Sequence, residues 1–458
     1  MVLTKDRAFY RDFFKIFFLL VLQNVVTLSV NMADNIMLGA YSETALTAAA
    51  TVNQVQFLLQ QVILGVGDGL VVLASQYWGR KQMEPVYKIT SIAVRFAMVV
   101  VLIIFGIVSL APEGVIGIFT NNHQVIVEGS AYLSILRFSY LFFGMSYILL
   151  AALRTVETVK IAFFLSILTL GINCTINYML IFGKFGFPEM GVKGAAIGTL
   201  IARMIEFGCV LLYIVKIEQN LKLRLKDYLH LDRKLVRDYF KISTPVIFVC
   251  ILWGVSTAMQ TVILGHLTPA AIAANSIAAT LLMMLKSAMN GAASTASVIT
   301  GRTIGRGDFK KVKEYARTMQ FIFLLIGIST SIFLFLLRNP VLGLYDISEA
   351  TRQMANSFIL VLCITCIGSA YENPTITGII RGGGSTRFDL ATDTISIWGI
   401  VLPLSYLFAF VWKLPPVYVI AMLNADQLFK CIPAFLMVNF GKWVHVFTPQ
   451  SLTTKEII

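Results

Sequence analysis

Charged residues are scarce in this chain of 458 residues: Asp, Glu, Lys and Arg together make up 13% of it, whereas 57% of its residues are hydrophobic. The mean hydropathy is accordingly +0.79. A chain of this composition cannot hide its apolar surface in a water-soluble core, because it has too few polar side chains to cover that core. The composition therefore excludes a soluble domain and predicts a protein whose apolar surface faces lipid.

Cysteine and histidine are also too few, and too scattered, for several kinds of site. All six cysteines fall inside predicted membrane spans, which argues against an extracellular disulfide framework. Cys363 and Cys366 form a CxxC pair, but without a second Cys or His pair they are interpreted as packing residues and not as metal ligands. The four histidines lie in loops or at span ends, which argues against a membrane-embedded metalloenzyme. These residues are Cys174, Cys209, Cys250, Cys363, Cys366 and Cys431, and His123, His230, His266 and His445.

Two functional segments are missing as well. No phosphate-binding loop GxxxxGK[ST] is present, since GRTIGRGD, which begins at Gly301, lacks the Lys-Ser/Thr ending. If the protein pumps a solute, an ion gradient must therefore drive it. The first apolar stretch is too long for a cleavable signal peptide and carries no small-residue cleavage site, so it is predicted to be the first membrane span.

Long apolar runs fill the rest of the chain and predict an all-α integral membrane protein. A transmembrane helix needs roughly 20 mostly apolar residues. A transmembrane barrel would instead show alternating strands of roughly ten residues. We predict twelve spans, numbered 1 to 12 in chain order, at about 13–38, 46–77, 89–111, 130–152, 161–183, 192–215, 242–265, 271–300, 318–337, 355–379, 390–411 and 416–438.

The sequence repeats itself at about half its length. The segment DNIMLG beginning at Asp34 returns as QTVILG beginning at Gln260, and Gly79 and Gly305 keep the same separation. LRTVET at Leu153 pairs with IRGGGST at Ile380, with the separation one position longer. A period this long indicates two homologous lobes, the commonest plan of secondary transporters. The predicted units are an N-terminal lobe (1–215), a basic amphipathic linker (216–241), a C-terminal lobe (242–438) and a tail (439–458).

The net charge of +13 is interpreted as topology and not as nucleic-acid binding. Lys and Arg are concentrated in the N-terminus and in the 2–3, 6–7 and 8–9 connections, while the 1–2, 3–4 and 7–8 connections have none. By the positive-inside rule, the rich segments and both termini are predicted to be cytoplasmic, in a cell (plasma or inner) membrane. The linker LKLRLKDYLHLDRKLVRDYF is interpreted as an amphipathic segment lying on the anionic inner leaflet.

Few ionisable residues lie inside the spans, and each is a functional candidate because a charge in the bilayer is costly. The five compared are Asp34, Asp68, Glu206, Lys286 and Glu372. Asp34 lies among polar neighbours in span 1, and Asn173 and Asn177 project from one face of span 5 because they are one helical turn apart. One carboxylate and two amides either ligate a small hard cation such as Na⁺ or hold a proton-carrying carboxyl; alternatively, the amides only join helices by hydrogen bonds.

Four segments resemble the multidrug and toxic compound extrusion (MATE) transporters: ADNIMLG, LRTVETVK, NCTINYMLIFGKFGFPEMGVKGAAIGTLIAR and YENPTITGIIRGGGSTRF. The resemblance covers nearly the whole chain in order. It implies that twelve helices form two pseudo-symmetric six-helix lobes around a central cleft, and that the protein exports amphipathic organic cations by cation-coupled alternating access. It also implies that Asp34, Asn173, Asn177 and Thr199 form the cation- or proton-coupling site, with Na⁺ bound by Asp34, Asn173 and Asn177 if the ion is sodium.

This sequence departs from that family in its second half. Trp253 stands about where many members carry an acidic residue in span 7. Within the chain itself, the repeat partner of Asp34 is Gln260, an amide that cannot titrate. Glu372 precedes Asn373-Pro374, where the missing amide hydrogen leaves a polar notch in span 10. Lys286 is expected to pair with Glu372 or Asp68 and keep the cavity near neutral, or else to select anionic or zwitterionic substrates. The expected substrate cavity therefore contains Glu372, Lys286, Gln260, Trp253 and Asp68.

The function expected from these observations is an antiporter that couples Na⁺ or H⁺ entry to export of organic cations. It is expected to need no cofactor, to have no enzymatic activity, to bind no nucleic acid, and to act as a monomer in the bilayer. One alternative is a flippase for lipid-linked oligosaccharides, which would favour extra spans and a strongly cationic cavity. The other alternative is a membrane receptor or enzyme without transport activity.

Overall fold

The computed structural model describes residues 3–221, 232–343 and 347–448. Within these ranges, twelve helices are long and apolar enough to cross a membrane, and each coincides with one predicted span. Their bounds, numbered as spans 1 to 12, are Arg7–Tyr41, Glu43–Gly79, Met83–Leu110, His123–Thr155, Lys160–Ile181, Val192–Lys216, Arg233–Gly265, Ala270–Gly305, Phe309–Leu342, Glu349–Ile380, Thr386–Val411 and Pro416–Phe440. The described residues contain no β-strand, only one bridge between Gly384 and Val444. The predicted all-α membrane fold is confirmed.

The last three spans are irregular helices. Span 10 is α-helical through Asn373 and continues as a π-helix from Pro374 to Ile380. Pro374 has no amide hydrogen and its ring crowds the carbonyl one turn earlier, so the widened turn starts at the residue that the sequence indicates. Span 11 contains π-helical turns at Thr394–Val401 and Leu407–Val411. Span 12 consists of three short helices, Pro416–Leu423, Asp426–Phe429 and Cys431–Phe440.

Span 7 begins about nine residues earlier than the sequence predicted, so residues 233–241 of the predicted linker 216–241 belong to its helix. Asp232 caps the helix by accepting hydrogen bonds from the backbone amides of Lys234 and Leu235, at 2.9 and 3.4 Å. Leu235 is buried in the core of the first half. Residues 222–231 of the linker lie outside the described residues. The basic charges of Arg233 to Lys241 therefore belong to the first turns of a membrane span.

Spans 1 and 7 exchange partners between the two halves of the sequence. Phe9 stacks on Tyr315 of span 9 with ring centroids 4.5 Å apart, and Phe13 lies 6.4 Å from Phe323 of the same span. Tyr239, the repeat partner of Phe13, is buried in the core of spans 2 to 6 and its hydroxyl donates to the carbonyl of Val66 at 2.9 Å. Spans 1 and 7 therefore both join the two lobes that we propose as moving units, 1–215 and 242–438.

The N-terminal residues are tied to span 9 as well. The backbone amide of Thr4 donates to the hydroxyl of Thr318 at 3.0 Å, and the hydroxyl of Tyr315 donates to Asp6 at 2.6 Å. Asp6 also caps span 1 through the amide of Ala8. The Tyr315 hydrogen bond, more than any other cause, lowers the pKa of the Asp6 carboxyl.

Glycines place the crossing helices in symmetric contact. A Cβ on Gly65 would come within 2.7 Å of Ile247 in span 7, and a Cβ on Gly291 would come within 2.7 Å of Val21 in span 1. Gly65 and Gly291 have the same separation in the sequence as Asp34 and Gln260, and so do Val21 and Ile247. The repeat seen in the sequence is therefore a repeat of contacts, in which one small residue lets each pair of helices approach closely.

The described N- and C-terminal residues, the 2–3 connection and the 8–9 connection lie at one end of the bundle, which we call the basic end. There span 2 crosses span 8 without room for side chains: a Cβ on Gly79 would overlap the carbonyl of Arg302, and a Cβ on Gly305 would overlap the carbonyl of Gln76. Gln76 and Arg302 are themselves repeat partners, with the same separation as Gly79 and Gly305. The two halves of the chain are therefore in contact at the basic end.

Candidate functional site

Asp34 is the end of a hydrogen-bonded relay that joins spans 1, 5 and 6. The side-chain amide of Asn177 donates to Asp34 Oδ1 at 2.6 Å and to Asn173 Oδ1 at 3.2 Å. The amide of Asn173 in turn donates to the hydroxyl of Thr199 at 3.2 Å. Asn173 and Asn177 are buried. The four residues predicted as one site therefore lie together, in the order Thr199, Asn173, Asn177, Asp34.

Local sequence explains how the relay is assembled. Asn173 and Asn177 are one turn apart on span 5, so their side chains share one helical face. Span 6 comes close to that face because it presents glycine: a Cβ on Gly194 would lie 2.7 Å from the backbone of Leu180, and a Cβ on Gly198 would overlap Oδ1 of Asn177. The glycines of this 5–6 block therefore set the position of the Asn177 amide.

Asp34 lies on the wall of a small polar cavity. Asn31 lies on its wall and is exposed, so the cavity reaches the protein surface. Arg203 of span 6 also lines it, stacks over the ring of Phe143 at 5.2 Å, and pairs with Glu206 at 2.6 Å. The other lining residues are Val30, Asn53, Gln56, Tyr132, Thr169, Asn173, Thr199 and Ala202. Glu206, a candidate in the sequence, is thus the counter-ion of Arg203.

The relay suits a carboxyl that exchanges a small cation with the cavity. In this arrangement, nitrogen and not oxygen of the Asn177 amide faces Asp34. A proton can add to the second carboxyl oxygen without moving the relay, whereas Na⁺ needs oxygen ligands, and Asn177 supplies one beside Asp34 only if its amide turns. Oδ1 of Asn177 is buried without a hydrogen-bond partner among the described residues, so that oxygen is available to such a rotation.

A second buried charge cluster lies in spans 10 to 12 and is centred on Lys430. The Lys430 ammonium lies 3.0 Å from Asp426, 3.1 Å from Asp393 and 3.6 Å from Glu372. Lys430 and Glu372 are both buried. The expected pairing of Glu372 with Lys286 is therefore wrong, because Lys430 from span 12 reaches the carboxylate that the polar notch of span 10 presents.

The remaining predicted cavity residues do not join this cluster by direct contacts. Lys286 makes no ion pair within the described ranges 3–221, 232–343 and 347–448, and Gln260 makes no side-chain hydrogen bond there. Trp253 is 40% exposed and packs on Phe57 of span 2, with ring centroids 6.1 Å apart. In the described ranges, no ion pair or side-chain hydrogen bond joins any two of the five residues predicted as one substrate cavity.

Asp68 lies at the boundary between the two halves of the chain, where it pairs with two arginines and not with Lys286. It pairs with Arg381 at 3.2 Å and with Arg154 at 3.6 Å. Arg154 also donates to the hydroxyl of Ser294 at 3.1 Å, and Arg381 pairs with the buried Asp389 at 2.7 Å. Arg154 and Arg381 are repeat partners, as are Asp68 and Ser294. Each half therefore extends one arginine to the matching position of the other half.

Sequence reasoning missed the basic partners of these acids: Arg203, Lys430, Arg154 and Arg381. The available signal was that Arg203, Asp393, Asp426 and Lys430 also lie inside predicted apolar spans, where an ionisable residue requires a partner. No group of three or more His, Cys, Asp or Glu residues suited to a metal ion occurs in the described part of the chain.

The fold and these intramembrane polar sites define a multi-pass membrane protein with two related halves. The family model MatE matches residues 20–179 and 245–407. The chain therefore belongs to the MatE family of MATE transporters, and it is a transporter and not an enzyme.

Relatives match almost the full length. The "Probable multidrug resistance protein NorM" of Thermotoga maritima is 25% identical over 92% of this chain and 90% of its own. The "Uncharacterized transporter YisQ" of Bacillus subtilis is 25% identical over 82% of each chain. The structure of the Vibrio cholerae MATE transporter VcmN in its bent form superimposes with a TM-score of 0.85 at 15% identity, covering 95% of this chain and 97% of that one.

Replacing Asn173 or Asn177 with alanine is expected to weaken the relay by about 1–3 kcal/mol, because each substitution leaves a buried polar partner unsatisfied. The ion dependence of transport in proteoliposomes measures this effect. Asn121→Ala, at an exposed position in the 3–4 connection, is the matched control. An unchanged ion dependence in the Asn173/Asn177 double variant would reduce these amides to helix-packing residues.

Proposed function

We propose that this MATE transporter is an antiporter that exports amphipathic organic cations in exchange for an inward-moving cation, H⁺ or Na⁺. The one observation that carries this proposal is the buried relay that ends at Asp34 on the wall of a polar cavity. A carboxyl in that position can bind either the coupling ion or a cationic substrate, but not both at once. Competition at one carboxyl is the simplest physical basis of exchange.

The arrangement of charge supports an orientation in the cell membrane. Lys and Arg are concentrated in the connections at the basic end, while the 1–2, 3–4 and 7–8 connections have none. The positive-inside rule then places the basic end and both termini in the cytoplasm. With the halves in contact there, alternating access requires the basic end to open when substrate is taken up.

Between the two ions, the orientation of the Asn177 amide favours H⁺. Its nitrogen already donates to Asp34, so protonation keeps the relay while sodium binding would break one of its hydrogen bonds. No further group is needed as a cofactor, and a single chain supplies the whole relay. Efflux from proteoliposomes under an imposed pH gradient and, separately, an imposed Na⁺ gradient decides between the ions.

Ion and substrate are expected to weaken each other's binding by about 1–3 kcal/mol, or roughly 5- to 150-fold in the dissociation constant, because linkage is reciprocal. If the ion is H⁺, binding of a lipophilic cation weakens as the pH falls; if it is Na⁺, binding weakens as Na⁺ rises at fixed ionic strength. Calorimetric titration across both series measures this. A dissociation constant that neither ion changes would contradict ion-coupled antiport.

A flippase for lipid-linked oligosaccharides fits less well. Such a substrate carries pyrophosphate and calls for an unbalanced cluster of cations. The arginines at the boundary between the halves are instead balanced by Asp68 and Asp389, and Lys430 lies among three carboxylates. Displacement of a fluorescent organic cation by acid or Na⁺ distinguishes the antiporter from a receptor, which would bind without ion competition.

A further inference from the structure

The residues that follow span 12 fold back and join the two halves at the basic end. This C-terminal segment, Trp443–Thr448, pairs with the second half through the amide of His445, which donates to the carbonyl of Gly383 at 2.8 Å. It pairs with the first half through Gln76 of span 2. The Gln76 side chain donates to the carbonyl of His445 at 2.9 Å and accepts from the amide of Phe447 at 3.0 Å. The predicted tail 439–458 is therefore docked up to Thr448.

Burial shows that this docking is part of the packed structure. Trp443 is 2% exposed, Thr448 is 4% exposed and Gln76 is fully buried. Trp443 packs with the core that contains spans 8 and 9, whereas Phe447 packs against the core of spans 2 to 6. The segment therefore packs one aromatic side chain against each half, with Trp443 buried and Phe447 half-buried, so the halves cannot separate at the basic end unless one of these contacts breaks.

The repeat explains why the segment is needed. The partner of Gln76 in the second half is Arg302, whose guanidinium binds both carboxylate oxygens of Glu157 at 2.6 and 2.7 Å. Glu157 lies in the 4–5 connection with a positive φ of 63°, and its repeat partner Gly384 has a φ of 97°. The backbone turn is thus kept in both repeats, but Gly384 has no side chain with which to reach Gln76.

The C-terminal segment fills that gap. Val444 bridges to Gly384, and the ring of Phe447 lies against Gly384 where a Cβ would come within 2.9 Å of its Cζ atom. Gln76 then binds the backbone of this segment in the position where Arg302 binds Glu157 on the other side. Arg302 forms an ion pair with Glu157 of the 4–5 connection, whereas Gln76 forms a pair of amide hydrogen bonds with the backbone of the C-terminal segment.

We propose that Trp443–Thr448 is the second of two pseudo-symmetric latches that hold the basic end closed, the first being Arg302–Glu157. The inference rests on the proposed alternating access, because a latch matters only if the basic end opens. Release of the segment from Gln76 and Tyr77 of span 2 frees the first half while the segment stays paired with Gly383. The contacts that must break on opening include the Arg302–Glu157 ion pair on one side. On the other side they include the two hydrogen bonds of Gln76 and a longer one, in which the Tyr77 hydroxyl donates to the carbonyl of Phe447 at 3.4 Å. All three are neutral, which makes the Gln76 side the weaker latch.

Distances across the basic end test this without any transport assay. Spin labels at Gln82→Cys and Lys310→Cys, both exposed, report the separation of the 2–3 connection from the first turn of span 9 in the full-length protein in lipid nanodiscs. The six native cysteines are first replaced. Gln76→Ala removes both hydrogen bonds between Gln76 and the C-terminal segment. Phe447→Pro leaves Gln76 intact and removes only the backbone amide hydrogen and the aromatic ring of residue 447. Each is expected to raise the population of long distances by roughly 5- to 30-fold, the equivalent of one or two neutral hydrogen bonds.

Gln124→Ala, an exposed glutamine at the opposite end, is the matched control and is expected to leave the distances unchanged. Arg302→Met reports the first latch in the same assay. If Arg302→Met opens the basic end while Gln76→Ala and Phe447→Pro match the parent, the C-terminal segment is only packing and the proposal is overturned, although alternating access stands. If no variant opens it, both the latches and the proposed opening are contradicted.

Discussion

Replacing Asp34 with asparagine is expected to abolish gradient-driven efflux while leaving a folded protein in the membrane. Asparagine has the same shape and keeps an oxygen to accept the hydrogen bond from Asn177, so the relay survives. It cannot take up or release a proton, and it carries no charge for a cation. The repeat partner Gln260 cannot substitute because it does not titrate either. Efflux of a fluorescent cation from proteoliposomes under pH and Na⁺ gradients measures the loss.

The matched control is Glu43→Gln, which removes one exposed carboxylate from the first turn of span 2 and should leave efflux unchanged. Binding of the lipophilic cation distinguishes a variant that has lost coupling from one that has lost substrate binding. An Asp34→Asn protein that still binds substrate, but without dependence on pH or Na⁺, has lost coupling alone. Efflux at the parent rate would remove Asp34 from the mechanism.

Replacing Lys430 with methionine is expected to destabilise the protein by roughly 3–5 kcal/mol, because removing one member of a buried ion-pair cluster leaves uncompensated buried charge. Here three carboxylates, those of Glu372, Asp393 and Asp426, would lose the ammonium that lies within 3.6 Å of each of them. Methionine keeps much of the apolar stem, so the loss reports mainly the charge. Thermal unfolding of the detergent-solubilised protein, followed by loss of monodispersity, measures the change.

Lys442→Met is the control, since Lys442 is exposed beyond the end of span 12. Adding Asp426→Asn to Lys430→Met should recover part of the stability, because one of the three unpaired carboxylates is then neutral. Equal stability of Lys430→Met and the parent would mean that the carboxylates hold protons or that water reaches them. In that event, the cluster would be a cation-exchange site and not a structural one.

The two predictions contrast the repeats. The first half keeps a carboxylate joined to amides at Asp34, whereas the second half has Gln260 at the matching position and a lysine among three acids elsewhere. Related backbones thus hold different chemistry. We therefore expect coupling to reside in the first half, with the second half supplying a fixed charge arrangement around the cleft.

Much of the fold, and part of the candidate site, was determined by the sequence by itself. In an α-helical membrane protein, each segment that crosses the bilayer must be a long apolar helix. This requirement acts on one segment at a time, so twelve apolar runs predicted twelve helices, and all twelve are confirmed. The repeat of Asp34 and Gln260 indicated two related halves, and the spacing of Asn173 and Asn177 placed two amides on one helical face. Such inferences succeed because they depend on residues close together in the chain.

Only the tertiary structure decided which partner each charge takes. Lys430, and not Lys286, reaches Glu372; Arg381 and Arg154 hold Asp68; and Trp443–Thr448 returns to Gln76 of span 2 from the far end of the chain. The exchange of spans 1 and 7 likewise follows from packing between distant helices. The sequence shows that a buried charge requires a partner, but several residues of the same chemistry could supply it. The crossing geometry of the helices selects among them, and that geometry is a property of the assembled bundle.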